Sequence, residues 1–79
     1  MEEKLYQVLI SVAKQVGYPI KGGWSVNLHL THEEIGFLAG IHRVSVTRAL
    51  KKLRDKGKIF QERNTLFFPF VALATESFL

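Results

Sequence analysis

The chain has 79 residues, of which 47% are hydrophobic, and it carries a net charge of +4. This length allows one domain, near the lower limit for a chain that folds alone, and the apolar fraction is enough for a compact core. The absence of cysteine excludes a disulfide framework, a thiolate zinc site and a cysteine nucleophile. No apolar run has the roughly 18 to 20 residues of a membrane span, and residues 1–4 do not resemble a signal peptide. We therefore expect a soluble, cytoplasmic protein.

The basic residues are concentrated in one segment. Residues 43–58 hold seven Lys/Arg and one acid, a net charge of +6, whereas the rest of the chain holds four basic and six acidic residues, a net charge of −2. A charge confined to one helix and its exit is typical of phosphate binding, and a solvated helix face is the alternative. The position of this segment in the pattern described below favours contact with DNA.

Residues 2–16 predict a helix that supports the core. Its apolar positions recur at intervals of four, three and four: Leu5, Leu9, Val12 and Val16. Tyr6 and Ile10 lie off this stripe, and a contact with a neighbouring domain or subunit is a weaker prediction for them. Gly17 and Pro19 fit the end of the helix, because a proline shortly after a terminal glycine prevents its continuation.

The next segment, Trp24 to Leu30, alternates between apolar and polar side chains and predicts a half-buried strand. It follows a loop signal, Lys21-Gly22-Gly23. Trp24 is interpreted as a core or strand-edge anchor, and stacking on a nucleic-acid base is the alternative.

A short helix is predicted to begin after Thr31. Thr31 and Glu34 have the spacing of a capping box, in which each side chain accepts a hydrogen bond from the backbone of the other residue. The helix covers residues 32–39 and has a predicted apolar face: Ile35, Leu38 and Ala39. Gly36 suits a close approach between helices, and Gly40 suits a turn because glycine adopts the left-handed conformation without a clash.

A second helix is predicted over residues 43–56, with Gly57 at its end. One stripe is apolar: Val46, Leu50 and Leu53. The other side carries hydroxyl and basic residues: Arg43, Ser45, Thr47, Arg48, Lys51, Lys52 and Arg54. His42 precedes the helix and is a poorer cap than serine or aspartate, which indicates another role such as a phosphate contact. Two helices joined by a glycine turn, the second basic on one side, indicate a helix-turn-helix whose second helix enters the DNA major groove.

A strand pair is predicted next, over residues 59–63 and 66–68, with Asn64-Thr65 as its two-residue turn. A strand pair directly after such a helix is the wing of a winged helix. Arg63 and Thr65 at its tip are placed to reach the DNA backbone.

Residues 70–78, after Pro69, predict a short helix that covers the core. The predicted fold class is α+β, mainly α: a winged helix-turn-helix with a small three-helix core and a β-hairpin wing. We expect residues 1–79 to form a single DNA-binding domain.

The order helix, strand, helix-turn-helix and wing resembles the C-terminal DNA-binding domain of the cyclic-AMP receptor protein and fumarate–nitrate reduction regulator family. The matching residues are Leu30-Thr31-x-x-Glu34-Ile35-Gly36-x-x-x-Gly40-x-x-Arg43-x-x-Val46-x-Arg48-x-Leu50-x-x-Leu53, with Leu5-x-x-x-Leu9-x-x-x-Ala13 upstream. The resemblance covers nearly the whole chain. It implies sequence-specific binding of double-stranded DNA by a transcription regulator.

The resemblance also implies individual contacts. Arg43, Val44 and Arg48 are expected to face base edges. Phosphate contacts are implied for four residues near the helix starts: Thr31, His32, His42 and Ser45. The polar side of the second helix and the wing tip add further candidates for phosphate contact: Thr47, Lys51, Lys52, Arg63 and Thr65.

Val44 departs from the family pattern, in which most members carry glutamate. Glutamate accepts a hydrogen bond from a cytosine amino group, whereas valine packs against a thymine methyl. We therefore expect an A·T-rich half-site. The core His-Arg-Val-Ser-Val-Thr-Arg is similar to the halorespiration-regulator branch, which also favours A·T-rich sites.

Members of the resembled family carry an N-terminal effector-binding β-barrel and a dimerisation helix, and neither occurs in this sequence. We expect an excerpt of a longer homodimeric regulator, with a naturally small regulator as the alternative. The effector, a small molecule, is expected only on the missing domain.

Two other function classes compete with DNA binding. A winged helix can serve as a protein–protein interaction module, which would need no basic helix. A metal site would need a cluster of ligands, but His29, His32 and His42 are joined by no carboxylate or cysteine group in the sequence. No nucleophile–base arrangement or phosphate-binding glycine loop stands out, so we predict a non-enzyme without a cofactor or metal.

Overall fold

The computed structural model describes residues 2–74 and shows four helices and a four-stranded antiparallel sheet that share one hydrophobic core. The elements in chain order are α1 (Glu2–Val16), β1 (Tyr18–Ile20), β2 (Gly23–Asn27), α2 (His32–Ala39), α3 (Arg43–Asp55), β3 (Phe60–Glu62), β4 (Thr65–Pro69) and α4 (Phe70–Leu73). The strand order is β1-β2-β4-β3. The predicted α+β winged helix-turn-helix is confirmed, although the wing belongs to a wider sheet than a lone hairpin.

Helix α1 has the predicted bounds but buries a different face. Its buried residues are Leu5, Tyr6, Leu9, Ile10 and Ala13. Val16 is 63% exposed and Val12 is half-buried, so the predicted stripe is wrong at its C-terminal end. Both α3 and β2 pack on α1, which widens the buried face and turns it toward Tyr6. Tyr6 and Ile10 therefore belong to the core of this domain, and the predicted contact with a neighbour is wrong.

Strand β2 is shorter than predicted and is paired with a strand that the sequence pattern did not indicate. β1 pairs with β2 through a turn at Lys21 and Gly22, where Gly22 has a φ of 84°. The other neighbour, β4, begins at Thr65 opposite Asn27, so the ladder ends there and residues 28–30 lie outside the strand. The predicted extension to Leu30 is therefore wrong.

Trp24 anchors the sheet to α1, as predicted. Its indole Nε1 donates a hydrogen bond of 2.7 Å to the carbonyl oxygen of Ala13, and the ring packs against the core. The partly buried indole joins the last turn of α1 to β2.

The turn between α2 and α3 follows the sequence prediction closely. Thr31 and Glu34 form a complete capping box, and Gly40 ends α2 in the left-handed conformation with a φ of 71°. A side chain at Gly36 would overlap the carbonyl oxygen of Ile41, so the small residue permits the tight turn. Leu38, by contrast, is 55% exposed and does not belong to the buried face of α2. Gly36 belongs to the buried face of α2 instead, because α3 packs on the side of α2 that is opposite Leu38.

The wing turn lies one residue earlier than predicted. It consists of Arg63 and Asn64, and Thr65 is already paired with Glu62 as the first residue of β4. Arg63 adopts a φ of 55°, the left-handed conformation that lets so short a turn join the strands. Pro69 ends β4, as predicted, and the predicted helix over 70–78 is present as far as Leu73. The part of that prediction beyond residue 74 lies outside the described residues.

Candidate nucleic-acid interface

Helix α3 has one buried side and one open side. Val46, Ala49, Leu50 and Leu53 are buried against α1, α2 and the sheet. At about 100° per residue, the side directly opposite carries Val44, Arg48, Lys51 and Asp55. Val44 is 45% exposed and the other three are exposed. The helix therefore presents a mixed apolar and cationic surface to the outside.

The first turn of α3 is capped by an imidazole. Nδ1 of His42 accepts the backbone N–H of Val44 at 3.2 Å, in the manner usual for a serine or aspartate side chain. His42 is thus a working N-cap, which the sequence reasoning underestimated. Its ring is exposed beside Arg43, and the first turn of α3 contains no acidic residue. The positive end of the helix dipole and the Arg43 guanidinium both attract anions at this point.

A pair of side chains joins α2 to α3 at the same end. His32 Nδ1 lies 2.7 Å from Thr47 Oγ1, and Thr47 Oγ1 donates to the carbonyl oxygen of Arg43 at 3.2 Å. His32, Arg43, Val44 and Thr47 line an open depression of about 310 Å³. The bridge could not be predicted from the sequence, since His32 and Thr47 are 15 positions apart and meet only through the packing of the two helices.

Thr31 and Ser45 flank this region. The Thr31 hydroxyl accepts the N–H of Glu34 at 3.1 Å, and the Thr31 N–H donates to Glu34 Oε1 at 2.9 Å. The hydroxyl oxygen is thus used in the cap, and its proton is the group that an anion could accept. Ser45 is half-buried on the first turn of α3.

The wing tip is hydrogen-bonded to the segment that precedes α2. The N–H of Leu28 donates to the carbonyl oxygen of Asn64 at 2.6 Å, which ties the turn to the segment before α2. Arg63 is exposed and lines the same small cleft as His32. Thr65 is half-buried and donates its hydroxyl proton to Asn27 Oδ1 at 2.9 Å, so the structure employs that group between β2 and β4.

The seven basic residues of the 43–58 segment are not equivalent. Lys56 pairs with Glu2 at 2.6 Å and Lys58 lies 3.8 Å from Glu3, so the acids of α1 face the end of this segment. Hydrogen bonding from Lys56, followed by the positive charge of the lysines around it, lowers the pKa of Glu2. The sequence shows the first-turn acids of α1 but not their partners, since 54 positions separate Glu2 from Lys56.

The remaining basic residues of the segment lie on or beside the open side of α3. Lys51 pairs with Asp55 at 2.9 Å on the exposed surface, and Arg54 donates to Gln61 of the wing at 2.9 Å. Ion pairs at this degree of exposure are weak and give way readily to a stronger anion. Within residues 2–74, three basic residues of this segment make no ion pair or side-chain hydrogen bond: Arg43, Arg48 and Lys52.

Residues 2–74 contain no group of three His, Cys, Asp or Glu side chains that could hold a metal ion. No helix in that range is long and apolar enough to cross a membrane.

The fold and the open side of α3 define a winged helix-turn-helix DNA-binding domain. The sequence matches the Crp-like helix-turn-helix domain over residues 3–68, and the chain belongs to that family. Domains of this family are the DNA-binding parts of transcription regulators.

Two curated relatives from Synechococcus elongatus have similar sequences. One is a global nitrogen regulator, 35% identical over 78 residues, which cover 96% of this chain and 35% of the regulator. The other is the regulatory protein CysR, 35% identical over 68 residues, which cover 82% of this chain and 33% of that protein. The chain thus spans about a third of the length of these relatives.

Solved structures show the same fold. Unbound oxidised CprK superposes with a TM-score of 0.77 at 16% identity, over 94% of this chain and 36% of CprK. The CO-dependent transcription factor CooA from Carboxydothermus hydrogenoformans superposes with a TM-score of 0.73 at 25% identity, over 85% of this chain and 31% of CooA.

Proposed function

We propose that this domain inserts α3 into the major groove of double-stranded DNA and reads a half-site for a transcription regulator. The observation that carries the proposal is the open side of α3, where Val44 and Arg48 stand exposed beside Arg43. These three side chains are the proposed base-contacting residues. An α-helix fits the major groove, and arginine forms two hydrogen bonds with the N7 and O6 acceptors of guanine.

Phosphate contacts are proposed on both sides of the groove. Toward α2 and the wing they come from Thr31, His32 and Arg63, of which His32 and Arg63 line one small cleft. Along α3 they come from His42, Ser45, Lys51 and Lys52. We assign Thr47 and Thr65 structural roles instead, because a phosphate only accepts hydrogen bonds and the hydroxyl proton of each threonine is donated within the domain.

The next proposal concerns the longer regulator in which this domain acts. Because the relatives are about three times as long as this chain, we propose that it acts as one half-site reader of a cytoplasmic homodimer whose small-molecule effector binds a different domain. Val44 supports an A·T-rich half-site, since valine offers only an apolar contact that suits the thymine methyl. We also propose a place near the halorespiration regulators, on the basis of the sequence His-Arg-Val-Ser-Val-Thr-Arg at the start of α3.

The test is selection of bound duplexes from a random pool. The wild-type chain should enrich a defined half-site, and Arg48→Ala should lose that enrichment because it removes a direct base contact. Lys21→Ala is the matched control, since Lys21 is an exposed cation on the β1–β2 turn, away from α3. Equal enrichment by wild type and Arg48→Ala would contradict direct readout by this residue.

A second function, a protein–protein interaction module, is favoured by one observation. Phe37 is 87% exposed on α2 and Leu38 beside it is 55% exposed. Adjacent exposed apolar side chains of this size are typical of contact surfaces. The salt dependence of duplex binding separates the two functions, because affinity should fall by roughly 0.9 log units per log unit of salt for each phosphate neutralised. A protein-binding module would show no such duplex affinity.

A further inference from the structure

The outer sides of α1 and α2 form a continuous surface with an apolar centre. Leu38 lines one depression with Val8 and Val12 of α1, and it lines a second depression with Leu30 and Phe37. Phe37 is 87% exposed and Leu38 is 55% exposed, so no other part of residues 2–74 covers the centre of this surface. Exposed apolar side chains that lie side by side are typical of contact surfaces.

Two side chains of opposite charge lie at opposite ends of α2 on this surface. Glu33 lines the second depression, one helical turn before Phe37. Lys4 lines the first depression, and its Nζ lies 3.5 Å from the point at which a Cβ atom of Gly40 would stand, just past the end of α2. Within the described part of the chain, neither Lys4 nor Glu33 makes an ion pair or a side-chain hydrogen bond. Each charge is therefore available to a partner.

This pattern of charges is complementary to itself. A two-fold axis that crosses α2 at Leu38 would set the α2 helices of two copies antiparallel and exchange their ends. Glu33 lies five residues before Leu38, about 7.5 Å along the helix, and Lys4 lies on the other side of Leu38, beyond the end of α2. The axis therefore brings Glu33 of each copy toward Lys4 of the other, and it places Phe37 and Leu38 of both copies at the centre.

We propose that the outer side of α1 and α2 binds a second copy of this chain in a two-fold dimer. Phe37 and Leu38 form the apolar centre of the interface, and a Lys4–Glu33 pair closes it at each rim, the arrangement usual for protein interfaces. No residue of α3 lines either depression, so the second copy docks without covering the open side of α3. Residues 43–58 carry a net charge of +6, which disfavours a dimer that brings two α3 helices together.

The test measures self-association of the 79-residue chain in the absence of DNA, by sedimentation equilibrium. A surface of a few helical turns is small, so the dimer should appear between about 10 µM and 1 mM, the range of weak interfaces. Phe37→Ser should raise the dissociation constant at least about tenfold, because aromatic side chains at the centre of an interface contribute most of its affinity. Val71→Ser is the matched control, since Val71 is 83% exposed on α4 but lines neither depression. It should associate as the wild type does.

Charge reversal tests the two-fold arrangement itself. Lys4→Glu and Glu33→Lys should each weaken self-association, because each variant places like charges together at both rims. An equimolar mixture of the two single variants should form a heterodimer, since both rims then join a lysine to a glutamate. The double variant Lys4→Glu/Glu33→Lys should recover the self-association of the wild type. Circular dichroism verifies that every variant is folded.

Several results would overturn this inference, which does not rest on the proposed DNA binding. A wild-type chain that stays monomeric throughout the concentration range would assign the surface to a different partner. Equal association of wild type and Phe37→Ser would place the interface elsewhere on the molecule. A mixture of Lys4→Glu and Glu33→Lys that forms no heterodimer would exclude the two-fold pairing.

The proposed function fails or succeeds by a different measurement. Arg48→Ala should lose duplex selection and keep the self-association of the wild type, because Arg48 lines neither depression. A wild type that dimerises but selects no duplex would overturn the proposed function alone.

Discussion

Val44 lies on the outermost line of α3, directly opposite the buried side of the helix. It is 45% exposed although it is apolar, and it lies between Arg43 and the Arg48 side chain one turn further along. An apolar side chain at this place cannot accept a hydrogen bond, so a base that offers a methyl group suits it better than one that offers an amino group. We therefore propose that the specificity of the domain depends on this residue as well as on the two arginines.

Val44→Glu tests this argument. A carboxylate at this position accepts a hydrogen bond from cytosine N4, so the preferred base pair beneath it should change from A·T to one with cytosine. Duplex selection beside the wild type measures the change, which should amount to about 1 to 3 kcal/mol of discrimination. Val44→Ile should keep the wild-type preference. An unchanged selection profile for Val44→Glu would contradict contact between this residue and a base.

Arg63 provides a second prediction at the residue scale, because it occupies a left-handed conformation that is unfavourable for a residue with a Cβ atom. Arg63→Gly should raise the free energy of unfolding by about 0.5 to 1 kcal/mol, since the strain relieved exceeds the entropy that glycine gains in the unfolded chain. The same change should weaken duplex binding by removing one phosphate contact. Arg63→Lys keeps both the strain and the charge, so urea denaturation and duplex affinity should both stay close to wild type. Loss of stability in Arg63→Gly would contradict the strain.

At the scale of the elements, the critical contact is between α2 and the turn that leads to α3. Gly36→Ala places a methyl group against the carbonyl oxygen of Ile41 and close to Val46. We expect a loss of about 1 to 3 kcal/mol in denaturant unfolding, even though alanine otherwise favours a helix by about 1 kcal/mol over glycine. Phe37→Ala is the control on the same helix, and it should change stability by about 0.5 kcal/mol or less because Phe37 is exposed. A stabilised Gly36→Ala variant would show that the helices do not need this close approach.

The elements that the sequence predicted well are those with local signals. These signals are the capping box, the left-handed Gly40 and the apolar stripe of α3, and each depends on residues three to four positions apart. They predicted the bounds of α2 and α3 to within one residue. Strand β1 has no such signal, because all three of its residues are exposed and Pro19 argues against a strand. Pro19 is tolerated because β1 is an edge strand, a fact that only the sheet reveals.

Predictions that depended on the packing of one element against another were less reliable. The sequence offered two adjacent apolar rows on α1 and gave no means to choose between them until α3 and β2 were in place. The prediction that Leu38 lies on the buried face of α2 was wrong for a similar reason, since Gly36 rather than a large side chain faces α3. The exposed side of α3 followed from periodicity, whereas the His32–Thr47 bridge and the Glu2–Lys56 pair join distant positions and could not be predicted.

At the scale of the whole molecule, the charged residues form two groups. One group forms a surface for DNA, and the other forms a contact that holds the fold together. The acids of the first turn of α1 face Lys56 and Lys58 beyond the end of α3, and the cations nearer its start remain free of them. The Glu2–Lys56 pair thus joins the start of α1 to the end of α3. Its loss should affect stability and leave the open side of α3 intact.

The ion pair between Glu2 and Lys56 should make the stability of the fold depend on pH. Lys56 lowers the pKa of Glu2 below its ordinary value of 4.5, so the stabilisation is complete above that pH and is lost as the pH falls through the lower folded-state pKa. Glu2→Gln should therefore melt below the wild type at pH 7, and the difference in Tm should shrink as the pH falls below about 4.5. In a Lys56→Gln background the same change should give no pH-dependent difference, because the partner that lowers the pKa is gone. A difference in Tm that stays constant from neutral to acid pH would show that Glu2 acts through something other than its charge.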